Sequence, residues 1–169
     1  MKILLVYPEF PETYWSFKHA LAFEGKGSAF PPLGLMTVSA MLPAAWEKRL
    51  VDMNVEQLSD DDLEWADMIF ASAMLVQKES LFQVVERSRR VGKQVAIGGP
   101  YVSTTHDEID ADHIFIGETE ETLPEFVNDL ELGIPQHIYR SENKPNLTHT
   151  PVPDFHLAKL DRYVAMSVQ

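Results

Sequence analysis

The sequence of 169 residues contains no cysteine. A chain without thiols forms no disulfide, binds no zinc through thiolates and holds no iron–sulfur cluster through its own side chains. Redox chemistry would therefore depend on a bound cofactor or on another protein domain.

Basic residues are also scarce, because 14 Lys and Arg residues stand against 26 Asp and Glu residues and give a net charge of −12 at pH 7. Such a surplus of negative charge repels phosphate backbones, so we expect no nucleic acid partner. No apolar run approaches the roughly 18 residues of a membrane span, and residues 1–8 do not resemble a signal peptide. We therefore expect a cytoplasmic protein without a membrane partner.

Short apolar runs alternate with helical stretches along most of the chain. The expected strands are Lys2–Tyr7, Lys48–Met53, Asp67–Ala73, Gln94–Ile97 and His113–Ile116. The expected helical segments are Leu33–Leu42, a short turn at Asp60–Trp65, Lys78–Val91 and Glu120–Leu132. This alternation favours an α/β fold of the Rossmann-like (flavodoxin-like) kind, with a parallel five-stranded sheet and helices on both faces. Ligands of such sheets bind beyond the carboxyl ends of the strands.

Two segments do not follow this pattern. The connection over residues 8–32 is long and rich in aromatic residues, so it either packs over the sheet as a flap or covers a ligand. Residues 141–169 contain three prolines and end in a strand-like run at 163–168. We expect residues 1–140 to form one domain, and residues 141–169 to be a linker and first strand toward a second domain. The alternative is a tail that packs on the surface of the same domain.

Several familiar site motifs are absent. The segment Gly25–Gly27 lies too far from the first strand for a dinucleotide-binding loop, and Phe30 stands where the third glycine would be. The third strand ends in Ser72, where a receiver domain would need a phosphoacceptor aspartate. The six histidines show no metal-ligand spacing. We therefore expect no catalytic residue and no metal ligand in this chain.

Small residues follow several strands at the carboxyl edge of the expected sheet. Gly34 opens the first helix, Ser72 ends the third strand, and Gly98 and Gly99 end the fourth. Small side chains allow a bulky ligand to approach the backbone closely, and a serine hydroxyl can donate or accept a hydrogen bond. A glycine pair after a strand is often only a tight turn, but here the small residues fall together at one edge.

This combination resembles the cobalamin-binding domain of mutases, methionine synthase and many radical-SAM enzymes. The pattern of that family is Asp-x-His-x-x-Gly after the first strand, Ser-x-Leu at the third and Gly-Gly at the fourth. Gly34, the segment Ser72–Met74 and the pair Gly98–Gly99 match these three motifs. The resemblance implies that the nucleotide tail of a corrinoid lies beside the sheet between these segments.

One part of the family pattern is missing. Its Asp and His fall on Ala29 and Pro31, so the histidine that ligates cobalt from below is absent. Many cobalamin domains joined to radical-SAM barrels also lack it, and their Pro-Pro-Leu-Gly-Leu and Gly-Glu-x-Glu segments occur here at 31–35 and 117–120. The resemblance implies a cobalamin-binding module of a larger radical-SAM enzyme, such as a methyltransferase. The 4Fe-4S cluster and S-adenosylmethionine would belong to a missing C-terminal radical-SAM barrel, which is the expected protein partner.

The resemblance also implies a set of cofactor-binding residues at the carboxyl edge. These residues are Gly34, Ser72, Met74, Gly98, Gly99, Pro100, Tyr101 and Gly117. Asp52 either bonds the amides of the ligand or forms a turn, and Glu118 either touches the ligand or caps the following helix. We expect no catalysis from this chain alone.

Two other hypotheses compete with a working cobalamin carrier. The chain could be a vestigial domain that keeps the fold without the cofactor and docks or orients a substrate for its partner. It could also be a flavodoxin-like electron carrier, but residues 7–11 contain no serine or threonine, whose hydroxyl groups a phosphate-binding loop would need.

Overall fold

In the described part of the chain, six parallel strands form one sheet with the order β2-β1-β3-β4-β5-β6. The computed structural model describes residues 1–12, 21, 25–145, 148 and 150–165. The strands are β1 (Lys2–Tyr7), β2 (Glu47–Asp52), β3 (Met68–Ser72), β4 (Gln94–Gly98), β5 (His113–Ile116) and β6 (Ile138–Arg140). The expected Rossmann-like α/β fold is therefore confirmed, with six strands instead of five.

The sixth strand corrects the sequence prediction. β6 has three residues, of which only Tyr139 is buried, so its apolar pattern is too short to read. Its backbone pairs with β5 from Ile114 to Ile116. Because a short edge strand depends on its neighbour for its hydrogen bonds, its formation is a tertiary effect that local composition does not indicate.

Five helices of the described residues connect or flank the strands. They are α1 (Leu33–Met41), α2 (Asp60–Trp65), α3 (Lys78–Arg90), α4 (Pro100–Thr105) and α5 (Thr119–Leu132). Short 3-10 turns cover Leu75–Gln77, His106–Glu108, Phe155–Leu157 and Leu160–Arg162. In the described part of the chain, no helix has the length and apolar character that a membrane crossing requires.

Local sequence explains where several helices begin and end. Ser59 and Asp62 form a reciprocal capping box at the start of α2. Gly133 ends α5 in the left-handed conformation that glycine adopts without strain. Helix α4 was not predicted from the sequence, although Pro100 occupies the first helical turn, where its missing N–H costs nothing.

The two faces of the sheet bury separate apolar clusters. Alternate strand residues such as Leu4, Val6 and Ile69 pack against α2, α3 and α4. The other strand residues, including Leu5 and Phe70, pack against α1 and α5. This two-residue alternation means that helices cover both faces, and it places β3–β5 beneath α1 and α5.

The described part of the C-terminal tail packs on the same domain, beside α1. We call residues 150–165 the C-terminal segment. Its Asp154 accepts a hydrogen bond from Ser39 at 2.5 Å, and its Phe155 and Leu157 pack against the cluster beneath α1. The expected strand at 163–168 is reduced here to one parallel bridge between Tyr163 and Ser28, while residues 166–168 lie outside the described residues. The domain boundary at residue 140 stays a prediction.

The long connection after β1 is described only in part. Residues 13–20 and 22–24, which carry most of its aromatic side chains, lie outside the described residues. Both interpretations of this segment, a packed flap or a ligand cover, therefore stay open.

Candidate functional site

A cavity of about 490 Å³ lies between α1, α5 and the sheet at β3, β4 and β5. Pockets that hold small molecules and cofactors commonly measure about 300–1,000 Å³. The cavity reaches the carboxyl edge of the sheet, where ligands of parallel α/β folds bind. Its lining residues are Gly34, Leu35, Thr37, Val38, Met41, Phe70, Ala71, Ser72, Ala96, Ile97, Gly98, Gly99, Pro100, Ser103, Phe115, Gly117, Glu118, Thr119 and Glu120.

The cavity exists because side chains are small or missing along its walls. A Cβ atom built on Gly34 would meet nothing within 4 Å, so this position in the first turn of α1 faces open space. On the sheet, Ala96 and Gly98 lie next to the larger Phe70 and Phe115. Gly34 and Met41 stand about two helical turns, or about 10 Å, apart along α1, and both line the cavity. The cavity is therefore a slot that runs down from the sheet edge.

Gly99 fixes the shape of the slot at the end of β4. Its φ is +98°, and a Cβ atom there would lie 2.5 Å from the hydroxyl oxygen of Ser72 and 3.1 Å from the carbonyl oxygen of Ala73. Only glycine combines this backbone conformation with so close an approach. Within the described part of the chain, the Ser72 hydroxyl has no hydrogen-bond partner, so it is available to a ligand at the rim.

Gly117 lines the rim of the slot and also allows the chain after β6 to pack closely against it. Its φ is +89°, and a Cβ atom would overlap the carbonyl oxygen of Ser141. The N–H of Ser141 donates to the carbonyl of Ile116 at 3.1 Å, and the N–H of Gly117 donates to the hydroxyl of Ser103 at 3.3 Å. The residue after β6 is therefore held directly against the turn that ends β5.

The structure brings six of the eight expected cofactor-binding residues to the slot and places two elsewhere. The six are Gly34, Ser72, Gly98, Gly99, Pro100 and Gly117. Tyr101 is 1% exposed and packs on the opposite face of the sheet, because α4 begins at Pro100 and turns it there. Met74 is 47% exposed and starts the 3-10 turn Leu75–Gln77 instead of lining the slot.

Sequence reasoning missed the residues that form the walls of the slot. Leu35, Val38 and Met41 look like ordinary core positions of an apolar helix, and Phe70 and Phe115 look like core positions of buried strands. Strand alternation does place Phe70 on the same face as Ser72, which is the one signal that could have found it.

The rim of the slot is acidic and the interior is apolar. Glu118 precedes α5 at its N-cap position but makes no capping hydrogen bond with its side chain, and it lines the rim together with Glu120. No basic residue and no histidine occurs among the described lining residues. In the same part of the chain, no group of three His, Cys, Asp or Glu residues is arranged to hold a metal ion.

Asp52 at the end of β2 belongs to the framework beside the slot. It is 1% exposed and accepts hydrogen bonds from the backbone N–H and side-chain amide of Asn54, at 2.9 and 2.7 Å, and from the Tyr163 hydroxyl at 2.9 Å. Burial raises the pKa of the Asp52 carboxyl, and the hydrogen bonds from Asn54 oppose this rise. Asp52 therefore ties the C-terminal segment to the sheet.

The loop that leads into α1 is held between β2 and the C-terminal segment. A Cβ atom on Gly27 would lie 2.8 Å from the carbonyl oxygen of Asn54, so this glycine allows close packing against the turn after β2. The N–H of Gly27 donates to the carbonyl of Arg162 at 2.9 Å, and the N–H of Val164 donates to the carbonyl of Ser28 at 3.2 Å. These contacts fix the approach to Gly34.

Comparison with a library of protein families identifies one matching model, described as the B12 binding domain, over residues 26–127. The match includes every residue that lines the slot. No solved structure matches the chain.

Curated relatives resemble the chain along its length. A methyltransferase of Synechocystis sp., described as uncharacterized, is 41% identical over 172 residues, which cover 100% of this chain and 32% of that protein. The hopanoid C-2 methylase of Rhodopseudomonas palustris is 30% identical over 174 residues, covering 99% and 33%. The bacteriochlorophyllide d C-12(1)-methyltransferase of Chlorobaculum tepidum is 25% identical over 135 residues, covering 78% and 29%. The chain thus spans about a third of the length of these relatives.

Proposed function

We propose that the slot between α1 and α5 holds the nucleotide arm of a cobalamin. The chain belongs to the B12-binding domain family. The observation that carries this proposal is the open space at Gly34, where a Cβ atom would meet nothing within 4 Å. Gly34 is exposed and lines the cavity of about 490 Å³ between α1 and the sheet, so this open space marks the mouth of the slot. The family match, at residues 26–127, covers the same residues.

The residues of the slot fit such an arm in both chemistry and size. The apolar walls at Val38, Phe70 and Phe115 favour a planar organic base, and the length of about 10 Å leaves room for the base and its ribose. At the rim, the Ser72 hydroxyl can bond the arm, and Glu118 and Glu120 can accept hydrogen bonds from corrin amide groups. When bound, cobalamin supplies a cobalt centre that can carry a methyl group.

We further propose that this chain gives cobalt no histidine ligand from its described residues. Ala29 and Pro31 occupy the family positions of the Asp and His, and Pro31 is buried. The described lining of the slot contains no histidine and would therefore supply no imidazole nitrogen to the cobalt of a bound corrinoid. Electron paramagnetic resonance of the cobalt(II) form tests this, because a nitrogen ligand would split the cobalt lines and its absence would leave them unsplit.

The longer protein is proposed to be a methyl-transferring enzyme. The relatives are about three times as long as this chain and are named as methyltransferases or a methylase. In this proposal residues 1–140 carry cobalamin, residues 141–169 lead toward a radical-SAM barrel, and the 4Fe-4S cluster and S-adenosylmethionine bind in that barrel. Reading the frame beyond residue 169 tests this, because such a barrel requires a Cys-x-x-x-Cys-x-x-Cys cluster motif.

Gel filtration after mixing with hydroxocobalamin tests the central proposal. We expect corrin absorbance to co-elute with the wild-type chain and to be lost in Gly34→Leu, whose new side chain would fill the mouth of the slot. Gln83→Leu is the matched control, because it adds the same side chain at an exposed position of α3 on the other face.

The circular dichroism and thermal unfolding of both variants should match those of the wild type, so that a loss of corrin in Gly34→Leu reports the slot and not the fold. A wild-type chain that elutes without corrin would overturn the proposal and favour the vestigial docking module. Equal corrin retention by wild type and Gly34→Leu would mean that the cofactor binds outside the slot.

A further inference from the structure

The deep half of the slot offers almost no hydrogen-bonding group. Its walls are formed on one side by α1 and on the other by the sheet. The apolar lining residues of this half are Val38 and Met41 on α1 and Phe70, Ala96 and Phe115 on the sheet. The other polar lining residues lie at the carboxyl edge of the sheet: Ser72 ends β3, Ser103 is in α4, and Glu118, Thr119 and Glu120 stand at the start of α5. A ligand group at the far end of the slot is therefore distant from every polar lining side chain except Thr37.

Thr37 is the one polar side chain among the described residues of the deep half. It is 4% exposed, and its hydroxyl donates to the carbonyl of Leu33 at 3.0 Å. Because this bond uses its single proton, Thr37 has no proton to give to a ring nitrogen of a ligand.

The backbone groups of the deep half also have hydrogen-bond partners within the protein. Phe70 pairs with Ala96 in the β3–β4 ladder, and Ala96 pairs with His113 in the β4–β5 ladder. The wall opposite is a helix, whose interior N–H groups bond within the helix. From Thr37 to Met41 the N–H groups of this wall are therefore bonded within α1 and are not directed at a ligand.

Natural corrinoids differ in the base at the end of the nucleotide arm. A dimethylbenzimidazole ends in a hydrocarbon ring with two methyl groups, whereas adenine carries an amino group and further ring nitrogens at the same end. In the deep half of the slot the ring nitrogens, which accept hydrogen bonds, would lose their bonds to water and find no donor, and the amino group would find only the Thr37 hydroxyl oxygen as a side-chain acceptor. Each such unpaired polar group lowers affinity by about tenfold or more.

From this lining we infer that the slot selects corrinoids with an apolar benzimidazole base and discriminates against those with a purine base. The inference rests on the proposed insertion of the nucleotide arm. Selectivity arises from the deep residues of α1 and the sheet, and not from any contact with the corrin ring, because both corrinoid classes share that ring.

Titration of the 169-residue chain with three corrinoids tests the inference, with binding read from the change in visible absorbance. The ligands are cobalamin, adeninylcobamide and cobinamide, which lacks the arm. We expect cobalamin to bind at least about tenfold more tightly than adeninylcobamide, and cobinamide to bind no better than adeninylcobamide.

Equal affinity for cobalamin and adeninylcobamide, with weaker cobinamide, would overturn the inference and leave the proposed function standing. No binding of any corrinoid, or cobinamide binding as tightly as cobalamin, would overturn the insertion of the arm itself.

A pair of variants at the deep end tests the cause of the selectivity. Met41→Gln places an amide donor and acceptor against the base, so the preference for cobalamin should fall severalfold. Met41→Leu is the matched control and should keep the wild-type preference, because it changes shape and adds no polar group. The same fall in both variants would attribute the preference to cavity shape and overturn the explanation from polarity.

Discussion

The Tyr163 hydroxyl donates a hydrogen bond to Oδ2 of Asp52 at 2.9 Å, and both residues are buried. The bond joins the C-terminal segment to the end of β2 across 111 positions of sequence. Burial raises the pKa of both side chains. The negative charge of Asp52 adds to the rise in the pKa of Tyr163, whereas the hydrogen bond from Tyr163 opposes the rise in the pKa of Asp52. The pair therefore consists of a neutral phenol that supports a desolvated carboxyl group.

Tyr163→Phe should destabilise the chain by about 1.5–3 kcal/mol at neutral pH, because it removes a donor from a buried carboxylate. Urea unfolding followed by circular dichroism measures this loss. Tyr101→Phe is the matched control, since the Tyr101 hydroxyl lies 3.4 Å from the Glu108 carboxylate and makes a weak bond at best. Equal losses in the two variants would contradict the role of the Asp52 contact.

Asp52→Asn should change how stability depends on pH. Burial raises the native pKa of Asp52 above its unfolded value of about 3.9, so the folded chain binds the proton more tightly than the unfolded chain. By linkage, the contribution of Asp52 to stability increases as the pH falls through the native pKa and is complete below the unfolded one.

The stability of Asp52→Asn relative to wild type should therefore be highest near about pH 8 and decrease toward about pH 4. Urea unfolding of both proteins at a series of pH values measures the difference, in which the other carboxylates cancel. Parallel profiles for the two proteins would show that the native pKa is not raised.

Gly99→Ala should destabilise the chain by at least about 1–3 kcal/mol, because its φ of +98° strains any other residue and the new Cβ would lie 2.5 Å from the Ser72 hydroxyl. Gly98→Ala should cost less, since its nearest neighbour would be Cβ of Phe115 at 3.4 Å. The two adjacent glycines thus form a matched pair for chemical unfolding.

Adding Ser72→Ala to Gly99→Ala should recover part of the loss, with a coupling energy of about 0.5–3 kcal/mol, because it removes the overlapping oxygen. Ser72→Ala alone should have little effect, because in the described structure its hydroxyl has no partner. Strict additivity in this double-mutant cycle would show that the overlap is relieved by a backbone shift.

Gly34→Ala should leave stability unchanged or raise it by up to about 1 kcal/mol, because alanine favours the helix and its Cβ would meet open space. Gly27→Ala is the contrasting variant, because its Cβ would lie 2.8 Å from the carbonyl oxygen of Asn54 and should destabilise the loop before α1. Thermal unfolding of the two variants measures both effects. A loss of stability in Gly34→Ala would mean that the mouth of the slot is closed in solution.

The strands were predictable from the sequence where a buried strand is a long run of apolar residues. β1 and β5 begin and end at the residues expected, because both consist of continuous apolar runs between polar or proline boundaries. β6 and α4 were not predicted, since each is short and its stability comes from neighbours that are distant in sequence or, for α4, from a proline that resembles a turn residue.

The slot was predictable only where a side chain is missing. Gly34 and Gly98 stand out in a sequence because glycine inside a helix or strand has a cost that some packing need must offset. Phe115 gives no such signal, since an apolar residue beside a cavity has the same pattern as one in a filled core. Tyr101 lies on the opposite face of the sheet because the direction of a side chain after Gly98–Gly99 depends on the turn into α4, which was not predicted.

The slot between α1 and α5 leaves part of this face of the sheet uncovered. A molecule that fills it binds the folded chain and not the unfolded one, so it acts as a removable part of the hydrophobic interior. At a free concentration one hundred times its dissociation constant, such a molecule would stabilise the fold by about 2.7 kcal/mol. If the proposed cobalamin is that molecule, the melting temperature of the chain should rise with the corrinoid concentration, and a cell short of corrinoid would contain a less stable protein that is more readily degraded.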